Sequence, residues 1–311
     1  MFINSIKEPL KYKGLTIYNV SPVRGGDSFL FIFEDGTSFI YDSGFGFSSD
    51  KLYENIKAVL GDKNLDYILL SHSHYDHALG SACLTVKYPE VKVVAFSYAA
   101  KILEKESARN VMRRLNKDAA AIHGVTEFKD YVDYLHADIK VEDNDILDMN
   151  GHKIQIISLP GHTKDCVAFY LMDEKLLLGT ETLGMYVADG LVMPSFLVGY
   201  HMSLESIDKV RKMVYNASGE RAIEAYFIPH WGLIEGNDVD TFLEESIKGH
   251  SLGRDLIVNA HKEGKSHEEI FAIFQEMYYT PKVTEVYPFP AFVENTNIQI
   301  PMILREEGLI E

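Results

Sequence analysis

Four side chains that can bind metal ions lie within six positions: His72, His74, Asp76 and His77. They directly follow an apolar run at 67–70, so the sequence predicts a buried strand that ends in a polar cluster. Residues two apart on an extended segment point to the same side, which places His72 and His74 together. Neutral imidazoles and carboxylates are ligands of divalent metal ions, and one ion would not take all four ligands from so short a stretch. The motif therefore predicts two metal ions held side by side.

Three further candidate ligands each follow a predicted strand and lie beside a turn residue. They are His162 in Pro-Gly-His-Thr, Glu181 in Gly-Thr-Glu-Thr and His230 in Pro-His-Trp-Gly. Loops at strand ends are where a rigid scaffold presents functional groups. Together with the first cluster they exceed the roughly four to six positions of a single ion, which again favours a binuclear site.

The remaining patterns predict the strands and helices that would position these loops. Strands are expected at 28–33, 37–41, 66–70, 91–96, 153–159, 166–171, 175–178 and 225–228, the last of these being the final strand. Helices are expected at 51–60, from 77 onward, at 101–122 and around 204–214. The first and second halves of the chain each contain such strands and helices. This arrangement indicates an α+β fold in which two sheets pack face to face with helices outside.

Strand patterns stop at about residue 237. Thr241-x-x-Glu244 and Ser266-x-x-Glu269 both match the capping box that begins a helix. The sequence therefore predicts a domain at 1–236 and a helical C-terminal extension at 237–311 that covers the active-site edge.

Composition excludes several classes of protein. The chain has 311 residues, 30 basic and 46 acidic, and its net charge of −16 argues against a nucleic-acid-binding role. No stretch approaches the roughly 18 apolar residues of a membrane span, and the N-terminus shows no secretory pattern. Cys83 and Cys166 have no CxxC spacing and are expected to be reduced, buried thiols in a cytoplasmic protein.

The first motif, His72-x-His74-x-Asp76-His77, resembles the HxHxDH signature of the metallo-β-lactamase superfamily, and the later candidates follow in that family's order. The resemblance covers about residues 15–235 and implies an αβ/βα sandwich with a binuclear site at one edge. By position, it implies that one metal binds His72, His74 and His162, and that the other binds Asp76, His77 and His230. Asp42, in Tyr-Asp-Ser-Gly, matches the family's early Asp-x-Gly turn, which supports the ligands from behind.

Two positions depart from the family pattern. Glu181 stands where the family usually has an aspartate that bridges both metals, and its extra methylene changes how far the carboxylate reaches. His230 lies between Pro229 and Trp231 rather than between glycines, which makes its surroundings stiffer and bulkier. The segments around 105–116 and 161–170 and the helical C-terminus also resemble the quinolone signal response branch of the superfamily. That branch is associated with thioesterase activity and a regulatory role.

These features favour a binuclear metal-dependent hydrolase that uses metal-bound hydroxide on a thioester or ester of a small acyl compound. Asp76 and Glu181 are the predicted catalytic residues. The ligand set suits zinc or iron, with manganese also compatible. The candidate substrate-pocket residues are Met185, Tyr186, Met193 and Phe196, which follow Glu181 closely.

Other functions remain open at this stage. A phosphodiesterase, such as a phosphorylcholine-esterase-type hydrolase, would use the same two metals. Diiron redox chemistry is disfavoured. Redox members of the superfamily typically carry an added flavin or rubredoxin module, and this sequence has neither the length nor the CxxC pairs expected for one. A metal-bearing regulatory protein that acts through partner binding is a different class of function. The expected partner is a small-molecule substrate rather than nucleic acid or membrane, and a homodimer is left open.

Overall fold

The computed structural model describes residues 8–188, 190–281, 283–285 and 287–311. The strands are β1 (Leu10–Tyr12), β2 (Leu15–Asn19), β3 (Phe29–Ile32), β4 (Ser38–Tyr41), β5 (Tyr67–Leu69), β6 (Lys92–Phe96), β7 (Ile139–Val141), β8 (Ile146–Met149), β9 (His152–Ser158), β10 (Val167–Leu171), β11 (Leu176–Leu178), β12 (Met185–Ala188), β13 (Leu191–Met193), β14 (Ala225–Ile228) and β15 (Gly232–Glu235). The helices are α1 (Ser49–Leu60), α2 (Tyr75–Lys87), α3 (Ser97–Leu103), α4 (Glu106–Ile122), α5 (Tyr200–Met213), α6 (Asn237–Lys262), α7 (His267–Tyr278) and α8 (Phe289–Glu306). Short 3₁₀ turns lie at Gly46–Ser48, Val132–Tyr134, Glu181–Leu183 and Val283–Glu285.

The strands form two mixed sheets and a small hairpin. One sheet has the order β1-β2-β3-β4-β5-β6-β7, and the other has the order β15-β14-β11-β10-β9-β8. Strands β12 and β13 pair with each other as a separate two-stranded sheet. The chain divides into two compact units: one runs to Ile157 and includes Phe169–Glu174, and the other consists of Ser158–Ala168 and Lys175–Glu311.

The first unit contains the seven-stranded sheet. Strands β1 to β4 pair antiparallel, and β4 to β7 pair parallel. The predicted hairpin between β3 and β4 is confirmed, and Asp35 Oδ1 accepts a hydrogen bond from Thr37 N inside its turn. Helices α1 and α2 bury Leu52, Ile56 and Leu79 in one apolar core with strand residues such as Ile40 and Ile68. The parallel half of this sheet sets the positions of the first candidate ligands, because parallel strands end at the same edge.

The second unit places β11 parallel to β14, and β14 antiparallel to β15. The prediction that 225–228 is the final strand was wrong, because Gly232–Glu235 turns back and pairs with it. The hairpin β12–β13 packs against α6, and Met185, Phe196, Ile257, Phe274 and Ile303 share one buried core with the C-terminal helices.

The two predicted capping boxes had different outcomes. Ser266 and Glu269 form the full reciprocal box at the start of α7, as expected. Thr241 lies inside α6, which begins at Asn237, and its hydroxyl donates to Asn237 O within the helix. The helix begins earlier because Gly236, at φ 58°, turns the chain out of β15 and is the N-cap residue of α6. Asp238 and Asp240 then provide negative charge in the first helical turn, which stabilises a helix N-terminus.

Among the residues that the structure describes, none of the helices combines the length and the apolar composition needed to cross a membrane.

Candidate metal centre

A first half-site forms where β4 and β5 end. It consists of Asp42, Ser71, His72, His74, Asp76 and His77. Strands β4 and β5 are parallel, and Tyr41 is in register with Leu69. Asp42 follows β4 directly, and its backbone N–H donates to Leu69 O over 3.0 Å. The sheet therefore brings Asp42 to the start of the histidine motif, although 29 residues separate Asp42 from Ser71 along the chain.

The Asp42 carboxylate holds this half-site together. Its Oδ1 accepts a hydrogen bond from Ser71 N at 2.8 Å, and its Oδ2 accepts one from Ser71 Oγ at 2.8 Å. Oδ2 also lies 2.8 Å from His77 Nδ1. Asp42 is buried and has φ 52°, a left-handed conformation that aspartate adopts more readily than most residues and that often marks functional sites.

These hydrogen bonds determine the tautomers of two imidazoles. An ionised Asp42 can only accept, so His77 carries its proton on Nδ1. Ser71 Oγ donates its single hydrogen to Asp42, so it accepts from His72 Nδ1, which is 2.9 Å away. Both neutral rings then have their lone pair on Nε2, which is the state of a metal-binding histidine whose other nitrogen donates to a supporting group.

The rest of the motif lies beside these two rings. His74 is the N-cap of α2, and the ligand atoms of His72 and His74 lie within 4.8 Å of each other. The ring centroids of His72 and His77 are 4.2 Å apart. Asp76 Oδ2 lies 3.7 Å from His77 Nε2. The first half-site therefore brings together all four residues of the motif, as their spacing predicted.

Helix α2 lies unusually close to the turn that carries Asp42. Ser43 donates to His77 O from both its N and its Oγ, at 2.7 and 2.8 Å. A Cβ atom at Gly80 would lie only 1.9 Å from Ser43 O, so only glycine permits this approach. No pattern in the sequence predicted that Ser43, Ser71 or Gly80 would be parts of the site. The glycine within the helical pattern that follows the motif was the available signal.

A second half-site, consisting of His162, Glu181 and His230, forms in the second unit. Strands β11 and β14 are parallel, and Gly179 N donates to Phe227 O over 3.0 Å just after β11. Glu181 and His230 follow the ends of these two strands, so they lie at the same sheet edge. His230 has φ 59° and lies in the tight turn between β14 and β15.

The Glu181 carboxylate lies between the two histidines, with one oxygen towards each. Its Oε2 is 2.7 Å from His162 Nε2, and its Oε1 is 3.2 Å from His230 Nε2. All three side chains are at most 5% exposed. His162 Nδ1 lies 2.7 Å from the carbonyl oxygen of Ser195, which can only accept, so Nδ1 carries a proton.

This arrangement has the donor set of a metal site. His162 Nε2 and Glu181 Oε2 are both electron-pair donors when the imidazole is neutral, and at 2.7 Å they need a proton or a cation between them. Buried carboxylate and imidazole donors around one point are what a divalent cation binds. The cluster therefore indicates divalent metal binding.

Thr182 connects two of these candidate ligands, Glu181 and His162. Its Oγ1 donates to Leu159 O at 2.7 Å and accepts from His162 N at 3.2 Å. The residue that follows Glu181 thus fixes the loop that carries His162. Thr182 and Ser195 were not predicted, because their partners are 20 and 33 residues away along the chain.

The four predicted pocket residues all belong to the second unit, and three of them are buried. Met185 and Met193 are each 4% exposed, and Phe196 is fully buried among residues of the C-terminal helices. Tyr186 is half-buried, with its ring centroid 5.4 Å from that of Trp231. Their role in substrate binding stays a prediction.

The two cysteines are free and buried, as expected. Burial raises the pKa of the Cys166 thiol to about 12, and it also raises the pKa of Cys83. Both thiols are therefore protonated at neutral pH, which argues against a cysteine nucleophile.

Comparison with known proteins identifies the family. Residues 22–208 match the family model described as the metallo-beta-lactamase superfamily. The chain is 30% identical to the metallo-beta-lactamase fold-containing protein ST1585 of Sulfurisphaera tokodaii, over 60% of this chain and 69% of that protein. It is 28% identical to a hydroxyacylglutathione hydrolase of Ectopseudomonas mendocina, over 40% of this chain and only 35% of that one. The crystal structure of the metallo-beta-lactamase family protein TTHA1429 from Thermus thermophilus superposes with a TM-score of 0.64, at 22% identity, over 95% of this chain and 94% of that one.

The chain therefore belongs to the metallo-β-lactamase superfamily, whose members are mostly metal-dependent hydrolases. The predicted fold class is confirmed: the chain has two mixed sheets with flanking helices, which is typical of this superfamily, and further helices towards the C-terminus.

Proposed function

We propose that the protein is a metal-dependent hydrolase that cleaves a thioester or ester of a small acyl compound, and that the two half-sites together hold two divalent ions. In this proposal one ion takes His72, His74 and His162, and the other takes Asp76, His77 and His230. The observation that carries the proposal is the Glu181 carboxylate, which directs one oxygen to His162 and the other to His230. A carboxylate in this position would help to hold a divalent ion beside either histidine.

The donor atoms fit such ions. They are nitrogen and oxygen only, which suits zinc, iron or manganese. Divalent ions bound here would lower the pKa of a coordinated water to near 7 and polarise the carbonyl of the substrate.

The protein's own residues orient the donors. Asp42 accepts from His77 Nδ1 and so makes the opposite nitrogen a stronger base. The Ser195 carbonyl fixes the His162 ring in the same way, although without a full charge. Asp76 Oδ2 lies 3.7 Å from His77 Nε2, so in this proposal both would hold the same ion and orient the water bound to it.

The acyl substrate class is supported by one relative. A hydroxyacylglutathione is a thioester, and the hydrolase named for it is 28% identical over 123 residues. Both cysteines are buried and protonated, so neither thiol competes with a metal-bound water as the nucleophile. The resemblance to the quinolone signal response branch agrees with a thioester substrate but stays a prediction.

Metal analysis tests the first part of the proposal. Purified protein supplemented with zinc, iron or manganese is expected to hold about two ions per chain, and His74→Ala is expected to lose most of them. His201→Ala is a matched control, because His201 is exposed and belongs to neither half-site. Failure of the unmodified protein to bind any of the three metals would overturn the proposal.

A substrate panel tests the second part. Turnover of acyl thioesters, lactones and bis-(p-nitrophenyl) phosphate should be measured with and without chelator. We expect chelator-sensitive cleavage of a thioester or ester, with a rate that rises with pH through about 7. Activity confined to the phosphodiester would retain the metals but assign the function to a phosphodiesterase. Metal binding without any turnover would favour a regulatory protein.

A further inference from the structure

The turn that carries Glu181 rests on helix α6. Ser246 Oγ donates a hydrogen bond to Leu183 O. One helical turn further along, His250 Nε2 lies 3.1 Å from Thr182 O. Gly184 completes the contact, because a Cβ atom there would lie 2.5 Å from Met193 O and 3.3 Å from His250 Cε1. Three consecutive residues after Glu181 are thus supported by α6 and its neighbours.

We infer that His250 is a positioning residue for the metal ligands Glu181 and His162, acting through Thr182. The inference rests on the proposed function, since it concerns the same metal site. It also gives the C-terminal helices a part in metal binding.

Thr182 is the link between the helix and the two ligands. Its carbonyl oxygen faces His250, and it directly follows Glu181 along the chain. Its hydroxyl donates to Leu159 O and accepts from His162 N, so it holds the loop of His162. A shift of Thr182 would therefore move the Glu181 carboxylate and the His162 ring together.

The hydrogen bonds of His250 support a direct role. The side chain is fully buried, and its Nδ1 and Nε2 face the carbonyls of Ser246 and Thr182 at 2.8 and 3.1 Å. Burial lowers the pKa of His250 to about 4, so the ring is neutral at pH 7 and has one N–H. Both carbonyl oxygens can only accept, so each ring nitrogen faces an acceptor and the ring lies between α6 and the Glu181 turn. A proton on Nε2 donates to Thr182 O, and this is the hydrogen bond on which the inference rests.

The test compares two substitutions at one position. His250→Phe keeps a ring but removes the donor, whereas His250→Gln keeps an amide N–H that can reach Thr182 O. Tyr278→Phe is the matched control: it removes the buried hydrogen bond from Tyr278 Oη to Gly249 O, on the same helix, and leaves the Glu181 turn untouched. Zinc dissociation constants are measured by competition with a chromophoric chelator, and the visible spectrum of cobalt(II)-loaded protein reports ligand geometry. The Tm of the metal-free proteins gives stability separately.

We expect His250→Phe to weaken zinc binding by about tenfold and to change the cobalt spectrum. His250→Gln should retain affinity within about threefold, and Tyr278→Phe should lower only the Tm. Equal zinc affinity in His250→Phe and Tyr278→Phe would overturn the inference. Should His250→Phe not fold, His250→Leu, which also lacks a donor, is measured instead, and zinc affinity equal to that of Tyr278→Phe would overturn the inference equally. These outcomes differ from failure of the proposed function, in which the unmodified protein itself binds no metal.

Discussion

The two half-sites hold their histidines by different means. In the first, one buried carboxylate, Asp42, fixes His77 directly and His72 through Ser71. In the second, His162 is fixed by the carbonyl of Ser195, and the carboxylate of Glu181 is itself one of the proposed ligands. In the first half-site negative charge therefore stands behind the imidazoles, at Asp42, and also beside His77, at Asp76. In the second, the Glu181 carboxylate lies beside the imidazoles.

This difference suggests how each half-site would attract a cation. A carboxylate behind an imidazole raises its basicity and orients it, while a carboxylate in direct contact with the cation also neutralises its charge. Loss of charge should consequently be more damaging in the second half-site. Loss of an anchoring group should be more damaging in the first.

The largest effect is expected from Glu181→Gln. It removes a negative charge that the proposal places between two cations, while keeping the shape of the side chain. We expect zinc affinity to fall by about 100-fold or more, above the range for residues that only support a ligand. Glu181→Asp, which restores the usual family residue, should keep affinity close to that of the wild type. Calorimetric metal titration measures both, and unchanged occupancy in the Gln variant would place Glu181 outside the ligand set.

The next largest effect distinguishes Asp42, which fixes His77, from Ser195, which fixes His162. Asp42→Asn keeps the left-handed backbone, which asparagine also tolerates, but turns one acceptor into a donor. Depending on the orientation of the amide, this donor opposes either Ser71 N or both Ser71 Oγ and His77 Nδ1. Zinc affinity should fall by about 10- to 100-fold. Ser195→Ala should change it by less than about threefold, because the backbone carbonyl remains. Comparable losses in the two variants would show that the charge of Asp42 contributes nothing beyond a hydrogen bond.

The same contrast explains how much could be predicted from sequence. The first half-site could be predicted because its ligands are contiguous and follow a buried strand that lies between parallel neighbours. The ligands of the second could be listed one by one, but their contacts depend on β11 and β14 pairing across 49 residues of chain. Ser195, Thr182 and His250 carry no local signal, since their roles come from partners brought together by folding. Thr241 shows the opposite case, in which a local signal was present but misleading. Its sequence matches a capping box, yet it lies inside α6 because the helix already begins after Gly236.

Two glycines test how tightly each half-site is packed. Gly80→Ala would place a Cβ atom 1.9 Å from Ser43 O, and Gly161→Ala would place one 2.2 Å from Ser203 Oγ, at φ 147°. Alanine normally stabilises a helix by up to about 1 kcal/mol relative to glycine. We expect Gly80→Ala instead to destabilise the protein by about 1–3 kcal/mol, because backbone atoms must move apart. Denaturant titration gives the free energy of unfolding, and a Gly80→Ala protein more stable than the wild type would contradict close packing of α2 on the Asp42 turn.

The smallest effect concerns pH and the support of the second half-site. Burial lowers the pKa of His250 to about 4, compared with about 6.5 in the unfolded chain. Between these values the unfolded state binds a proton that the folded state excludes, so His250 makes folding less favourable as the pH falls below about 6.5. His250→Gln has no such proton to bind, and the other histidines are common to both proteins. The stability of the wild type relative to His250→Gln should therefore decrease by about 1 kcal/mol between pH 7 and pH 5.5.

Chemical denaturation of the metal-free proteins at both pH values measures this difference. A difference that stays constant with pH would mean that His250 is accessible to protons in the folded protein, and that α6 is not closed over the Glu181 turn.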